Sequence, residues 1–264
     1  MSKRSFDIDR QGHVAILALN WPEKVNAMGL DFSRDCLAAL DDIERDPDVR
    51  VLIVTGRGKV FCGGGDLFEI MSPEATPVER DFELVRGYNR VAERLHYFDL
   101  PVIAAVNGPA VGGGAGIGLA CDIAIASETA SYDIFFGRLG LSAADVGVPW
   151  LLSRLIGSMR ASYYLHTGST ITAQAGLAMG VFAEVLAADR LMPRALELAQ
   201  QIASNASKTV TRMTKLSLRH GAHMDFRANL EYEAYVQAVA FQSPSHKQRI
   251  GEYRQKLSKK ANKT

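Results

Sequence analysis

The chain has 264 residues, 47% of them hydrophobic, and carries 30 Lys and Arg against 29 Asp and Glu. That length buries a real core in one large domain, or in one domain with a helical appendage. The near-neutral charge excludes the strongly basic or acidic character that would announce nucleic acid or an acidic membrane as partner.

Cys36, Cys62 and Cys121 have no metal-ligand spacing, so no metal site is expected. Their odd number, with no apolar run in residues 1–12, points to a reducing, cytoplasmic setting. Residues 100–121 are uncharged and long enough on paper to span a bilayer. Pro101, Asn107, Pro109 and the glycines of that stretch would break such a helix, so it reads as buried strand, turn and buried helix.

In chain order, the β-branched run at 13–20 predicts a strand. A helix follows with Phe32, Cys36, Leu40 and Ile43 on one face, ended by Asp46-Pro47. Residues 49–56 read as a buried strand ended by glycine. Residues 77–98 predict a helix with Phe82, Val85, Val91, Leu95 and Phe98 facing inward. A strand at 100–108 comes next, then a glycine-led helix, then a strand and the start of another in 121–133. This alternation predicts an α/β fold with helices outside a mostly parallel sheet. Beyond residue 145 come helix, a short helix at 172–180 and a strand at 181–186. From about Met192 to Lys260 everything reads helical. The basic tail, "KLSKKANKT", reads either as a solvated terminus or as a contact for a phosphorylated ligand.

Two glycine clusters follow strands: "VFCGGGDL" at 60–67 and "VNGPAVGGG" at 106–114. Glycine turns let backbone N–H groups point into a cavity with no side chain in the way. Each turn can lend one N–H to a single oxygen, an oxyanion hole for an enolate or tetrahedral oxygen. The plain alternative is a pair of tight turns in a crowded core. Neither cluster is a dinucleotide fingerprint or a phosphate loop.

The chain resembles the crotonase (enoyl-CoA hydratase/isomerase) superfamily in "LNWPEKVNAM", in "VRVLIVTGRGKVFCGGGDL" and in "PVIAAVNGPAVGGGAGIGLACDIAIAS". It does so again in "GLSAADVGVPWLLSRLIG" and in the C-terminal "FQSPSHKQRIGEYRQK". The resemblance implies a ββα superhelix over residues 1–191 and an all-helical trimerisation region over 192–264. It implies a homotrimer or hexamer that acts on an acyl-CoA thioester, with CoA as part of the substrate and no resident cofactor. The oxyanion donors would be the N–H groups of Gly63 and Gly113. CoA would meet Lys24, Val25 and Ala27, with Tyr253 and Lys256 reaching it from a neighbouring copy. For Lys24 and Lys256 a plain surface lysine is the alternative. Asp66, also in the implied substrate region, has the alternative of binding N–H groups in its own loop.

Hydratases of this family use two glutamates. The matching positions are Gly116 and, within one residue, Phe136, and neither is acidic. Asp145 in "LSAADVG" is the remaining candidate, with a helix N-cap as the plain alternative. The stretch resembles dienoyl-CoA isomerases, in which such an aspartate shuttles a proton. An aspartate also falls here in 4-chlorobenzoyl-CoA dehalogenase, as nucleophile; that enzyme's histidine and tryptophan would fall at Glu93 and near Phe136. Glu69 falls in a loop that lines the pocket in relatives, while His96 and Glu93 read as helix surface. Phe135, Phe136 and Trp150 either line a bulky acyl site or pack the core. The first expectation is a hydratase or lyase with Asp145 positioning water, with double-bond isomerisation close behind. Hydrolysis or dehalogenation through Asp145, and a non-catalytic acyl-CoA-binding relative, are the other readings.

Overall fold

The structure, a computed structural model, describes residues 6–70 and 76–261. It divides into two compact units, the first ending at Gln201 and the second starting at Ile202. That boundary lies inside the helix Ala188–Asn205.

The first unit opens with β1 (Phe6–Gln11), β2 (Val14–Leu19), α1 (Phe32–Arg45), β3 (Val51–Gly56), α2 (Leu67–Ile70) and α3 (Val78–His96). It continues with β4 (Val102–Val106), β5 (Pro109–Val111), α4 (Gly113–Leu119), β6 (Ile123–Ser127) and β7 (Ser131–Asp133). Then come α5 (Val148–Ile156), α6 (Ser158–Thr167), β8 (Thr170–Thr172), α7 (Ala173–Met179), β9 (Glu184–Leu186) and α8 (Ala188–Asn205). One sheet has the order β1-β2-β3-β4-β6-β9, parallel throughout except for β1 against β2. A smaller sheet has the order β5-β7-β8.

β2 and β3 are buried along their whole length, which is why they read as continuous apolar runs rather than as alternation. α1 buries Phe32, Cys36, Ala39, Leu40 and Ile43 against the core. It stops at Asp46, whose backbone is extended (ψ 114°) because the following proline disfavours the helical conformation. α3 departs from expectation. Val91 and Leu95 are buried as expected, and so is Phe98 just beyond the helix, but Phe82 and Val85 are exposed and Tyr88 and Ala92 complete the inner face.

In the second unit, α9 (Lys208–Gly221), α10 (Phe226–Gln242) and α11 (Pro244–Ala261) follow the end of α8. Asp225 caps α10 by accepting the Ala228 N–H at 3.0 Å. Arg249 of α11 donates to the carbonyls of Ser204 (2.7 Å) and Asn205 (2.9 Å). Among the described residues no helix is long and apolar enough to cross a membrane.

The two glycine clusters are joined across the first unit. Cys62 and Ala110 form a parallel bridge, and Val111 donates its N–H to the Cys62 carbonyl at 2.9 Å. α4 then starts against that same carbonyl. A Cβ at Gly114 would lie 2.6 Å from the Cys62 oxygen and 2.8 Å from the Cys62 Cβ, closer than real contacts allow. Gly114→Ala is therefore expected to destabilise the protein by about 1–3 kcal/mol through overpacking. Thermal denaturation against the parent checks this; an unchanged midpoint would mean that α4 shifts at no cost.

Candidate active site

The joined glycine turns form one wall of a cavity of about 530 Å³. Gly63, Gly64 and Gly65 come from the first turn, and Gly112 and Gly113 from the second. Phe135, Phe136, Leu139, Ile70, Leu84 and Tyr88 supply most of the remaining lining. The lining is mostly apolar, as expected for a site holding an organic group.

Which N–H groups are available follows from local pairing. The Gly63 N–H is already donated to the Val25 carbonyl at 2.8 Å. That corrects the expectation of Gly63 as an oxyanion donor, although Gly63 does line the cavity. Met28 pairs with Gly65 as a parallel bridge, in which Met28 N–H goes to the Gly64 carbonyl (2.7 Å) and Asp66 N–H to the Met28 carbonyl (3.0 Å). Such a bridge uses the neighbours of Gly65 and leaves Gly65's own N–H facing away. Among the described residues, the Gly65 and Gly113 N–H groups have no intramolecular acceptor. For Gly113 the reason is its place at the first position of α4, where no preceding turn can accept.

Asp145 enters the same cavity from the segment before α5. It is not the N-cap of that helix: Gly147 holds the cap position, and the Asp145 side chain caps nothing there. Its Oδ2 lies 3.5 Å from where a Cβ on Gly113 would be, and its buried Oδ1 has no hydrogen-bond partner. Burial pushes the Asp145 carboxyl above the usual carboxylate range, and the nearby Val146 N–H offsets only part of that. Val146 itself is fully buried at a left-handed φ of 45°. It fills the space beside Gly116, where a Cβ would meet the Val146 oxygen at 2.5 Å and the Val146 Cβ at 2.8 Å. Phe136 is buried and packs over Gly112.

The remaining predicted residues sort as follows. Asp66 does not line the cavity. Its Oδ1 accepts the N–H groups of Phe68 (3.0 Å) and Glu69 (3.3 Å), and its Oδ2 accepts from Lys24 Nζ at 3.1 Å. Burial alone would raise its pKa; Lys24 and those N–H groups outweigh burial and hold it below the usual range. Asp66 thus braces its own loop and holds Lys24. Lys24 is exposed and lies 4.3 Å from the Trp21 ring centre. Val25 and Ala27 stand in the same loop, with Val25 exposed and left-handed (φ 50°). Tyr253 and Lys256 are exposed on α11 of the second unit, three residues apart and so on one face. Trp150 borders a second cavity, of about 430 Å³, with His96, Glu93 and Asn89. His96 is buried there, its ring edge-on to Trp150, and is not a helix-surface residue.

Three residues that sequence reasoning passed over shape the site. Tyr88 reaches from α3 to donate its hydroxyl to the carbonyls of Met28 (2.9 Å) and Gly29 (3.0 Å). Asn26, buried at φ 55°, donates to Val60 (2.7 Å) and Arg57 (2.9 Å) and accepts the Trp21 N–H (2.8 Å). Asn89 accepts the Val146 N–H at 3.0 Å. Only Asn26 left a sequence signal, since asparagine tolerates the left-handed region. Among the described residues no cluster of three or more His, Cys, Asp or Glu could hold a metal.

Comparison with known proteins agrees with this architecture. The family profile described as "Enoyl-CoA hydratase/isomerase" matches residues 9–262. A short-chain-enoyl-CoA hydratase from Clostridium acetobutylicum is 34% identical over 242 residues, 91% of this chain and 90% of that protein. 4-Chlorobenzoyl coenzyme A dehalogenase-2 from an Arthrobacter species is 29% identical over 97% of this chain and 92% of its own. The crystal structure of an enoyl-CoA hydratase from Bacillus anthracis superposes with a TM-score of 0.90, covering 96% of each chain at 29% identity. The chain belongs to the enoyl-CoA hydratase/isomerase family.

Proposed function

We propose that the 530 Å³ cavity takes the acyl end of an acyl-CoA thioester, with the thioester oxygen between the N–H groups of Gly65 and Gly113. The observation that carries this reading is that one cavity holds two unpaired N–H groups together with Asp145, whose carboxyl is raised by burial and whose Oδ1 has no hydrogen-bond partner. Drawing negative charge onto the thioester oxygen makes the neighbouring carbon acidic, and two fixed N–H donors stabilise the enolate oxygen as it forms. A carboxylate with a raised pKa is a better base than an ordinary one and holds the proton long enough to return it.

One carboxylate suits double-bond isomerisation better than hydration. Asp145 removes a proton from the carbon next to the carbonyl of a 3-enoyl thioester, and the electron pair spreads onto the thioester oxygen as a dienolate. Returning that proton to carbon 4 leaves the double bond conjugated at carbon 2, and Asp145 ends ionised as it began. Hydration would need a second group to handle water, and the cavity's other carboxylate, Asp81, already accepts the Thr76 hydroxyl. In this chain the positions matching the hydratase pair are Gly116, closed by Val146, and the buried Phe136. Phe135, Phe136 and Leu139 favour a bulky apolar acyl group. The loop of Lys24, Val25 and Ala27 adjoins the first glycine turn, a Cβ at Gly63 lying 2.6 Å from Val25 Cγ2, and is the proposed site for the CoA moiety. The family resemblance adds Tyr253 and Lys256 from a neighbouring copy. It also supports self-association through the second unit, where Leu218, Phe226 and Tyr235 are each about three-quarters exposed (74%, 77% and 74%).

Incubating the protein with 3-enoyl-CoA thioesters of several chain types should produce the absorbance of the conjugated 2-enoyl thioester. Formation of a 3-hydroxyacyl product in its place would establish hydration and overturn isomerisation. Asp145→Asn should lower turnover by about 10²–10⁴-fold while thioester binding, read by calorimetry, persists. Full turnover in that variant would remove Asp145 from the chemistry.

The raised Asp145 pKa also sets two pH dependences. Activity should rise with pH along a limb whose midpoint lies above the ordinary carboxylate range, because the base must be ionised. Stability runs the other way. The folded state keeps the Asp145 proton where the unfolded chain has lost it, so its contribution is full below the unfolded pKa of about 4 and is lost as pH rises through the folded value. Asp145→Asn should therefore raise the melting temperature at pH 8, with the gain shrinking toward pH 4. A gain independent of pH would show that burial does not perturb this carboxyl.

A further inference from the structure

Asp145 stands between two cavities. It lines the 530 Å³ cavity with the glycine turns and also the 430 Å³ cavity bordered by Asn89, Glu93, His96 and Trp150. A carboxylate in that position has two sides to face, and only one of them holds Gly113. What fixes the choice is the backbone of the next residue. Val146 is β-branched and held at φ 45°, a conformation that such residues rarely adopt. A left-handed residue persists only when its surroundings hold it there.

The holding groups can be named. The Asp145 N–H is donated to the Ala143 carbonyl (3.0 Å) and the Asp145 carbonyl accepts the Val148 N–H (2.9 Å). The Val146 side chain is wedged against α4 in the gap left by Gly116. The Val146 N–H, which belongs to the peptide joining it to Asp145, is taken by Asn89 Oδ1 at 3.0 Å. Asn89 sits on the exposed side of α3, and this is its side chain's one hydrogen bond among the described residues. It borders the second cavity and not the first. From there it holds the peptide by its N–H.

We propose that Asn89 is a positioning residue: by accepting the Val146 N–H it locks the 145–146 peptide in its left-handed turn and so directs the Asp145 carboxylate toward the Gly113 N–H rather than into the second cavity. This inference rests on the acid/base role proposed for Asp145. The groups that share the surroundings of Asp145 are Tyr88 and Asp81 on the first cavity and Glu93, His96 and Tyr97 on the second. The Val146 N–H is donated to Asn89 at 3.0 Å and also acts on the Asp145 carboxyl itself, so Asn89 is the acceptor that draws it from outside the 145–146 turn.

The test compares Asn89→Ala, Asn89→Asp and Asp145→Asn in the full-length protein. Two quantities are read: the rate at which bound acyl-CoA exchanges its alpha hydrogen with deuterium oxide, and the titration of the Asp145 carboxyl by carbon NMR, assigned with Asp145→Asn. Asn89→Ala should lower the saturated exchange rate about 10- to 100-fold, the cost of a misplaced base, with thioester affinity and melting temperature close to the parent. Its Asp145 titration should move toward the ordinary carboxylate value as the carboxyl turns to the open cavity. Asn89→Asp keeps an acceptor for the Val146 N–H and should recover most of the rate, while its added negative charge displaces the pH limb upward. Parent-like exchange and an unmoved titration in Asn89→Ala would overturn the positioning role while leaving that of Asp145 intact. Full exchange in Asp145→Asn would overturn the acid/base reading and the positioning role with it. Loss of rate in both Asn89 variants, with no movement of the Asp145 titration, would reduce Asn89 to a fold contact and overturn the proposal.

Discussion

The site depends on one helix having almost no side chains. α4 reads "GGAGIGL" and is wholly buried, and its first glycines lie against other segments. Gly113 faces Met28, Val146 and Asp145; Gly114 faces Cys62; Gly116 faces Val146. A Cβ at any of the three would come within 3 Å of a heavy atom on another segment. The loop of the first glycine turn, the turn before α5 and the start of α4 can therefore share one small volume. Glycine inside a helix costs roughly 0.5–1 kcal/mol relative to alanine. Here that cost allows backbone groups from separate segments to converge where side chains would have kept them apart.

Convergence of this kind leaves strain, and it is not scattered. Among the described residues, three other than glycine have positive φ: Val25, Asn26 and Val146. None of the three lines the first cavity, but each adjoins a segment that does. Val25 supplies the carbonyl that takes the Gly63 N–H, Asn26 ties its loop to the chain before the first glycine turn, and Val146 follows Asp145. Each such conformation costs on the order of 1–3 kcal/mol and needs surroundings that hold it. Asparagines contribute to the holding in two places, Asn26 through its own side chain and Asn89 across from α3. Both satisfy backbone groups that the sheet and helix ladders leave out.

Much of the frame was legible because burial writes itself into composition. β2, β3 and β4 are apolar runs buried throughout, and α1 shows its inner face at helical spacing. What failed to show did so for identifiable reasons. β1, "FDIDRQ", is an edge strand with one buried residue, so it carries no run to detect. β5 is three residues long and hides inside a glycine turn. Phe82 and Val85 are apolar at the correct spacing, yet Phe82 is exposed and Val85 lines the cavity, and spacing cannot tell such positions from a core. The identity of the free donor was also hidden. Within Gly63, Gly64 and Gly65, the residue whose N–H is spent depends on the Val25 carbonyl, which is far along the chain. The same holds for Tyr88 and Asn89, whose roles exist only through distant backbone acceptors and donors.

The absent acid at Gly116 and the acid present at Asp145 belong to one packing solution. In this chain a side chain at 116 would run into the Val146 carbonyl and Cβ, and Val146 is the residue that carries the turn behind Asp145. An acid cannot simply be added at 116 while Asp145 stays where it is. The converse also holds: a bare Gly116 gives Val146 room to tuck against α4, and that brings Asp145 to within reach of Gly113. The absence that first argues against catalysis in the sequence is, in the folded chain, the gap that seats Val146 and, next to it, the carboxylate that shares the cavity with Gly113. Such coupling means that residues 116, 145 and 146 should be considered together when the chemistry of this chain is changed, because substitutions in contact do not act independently.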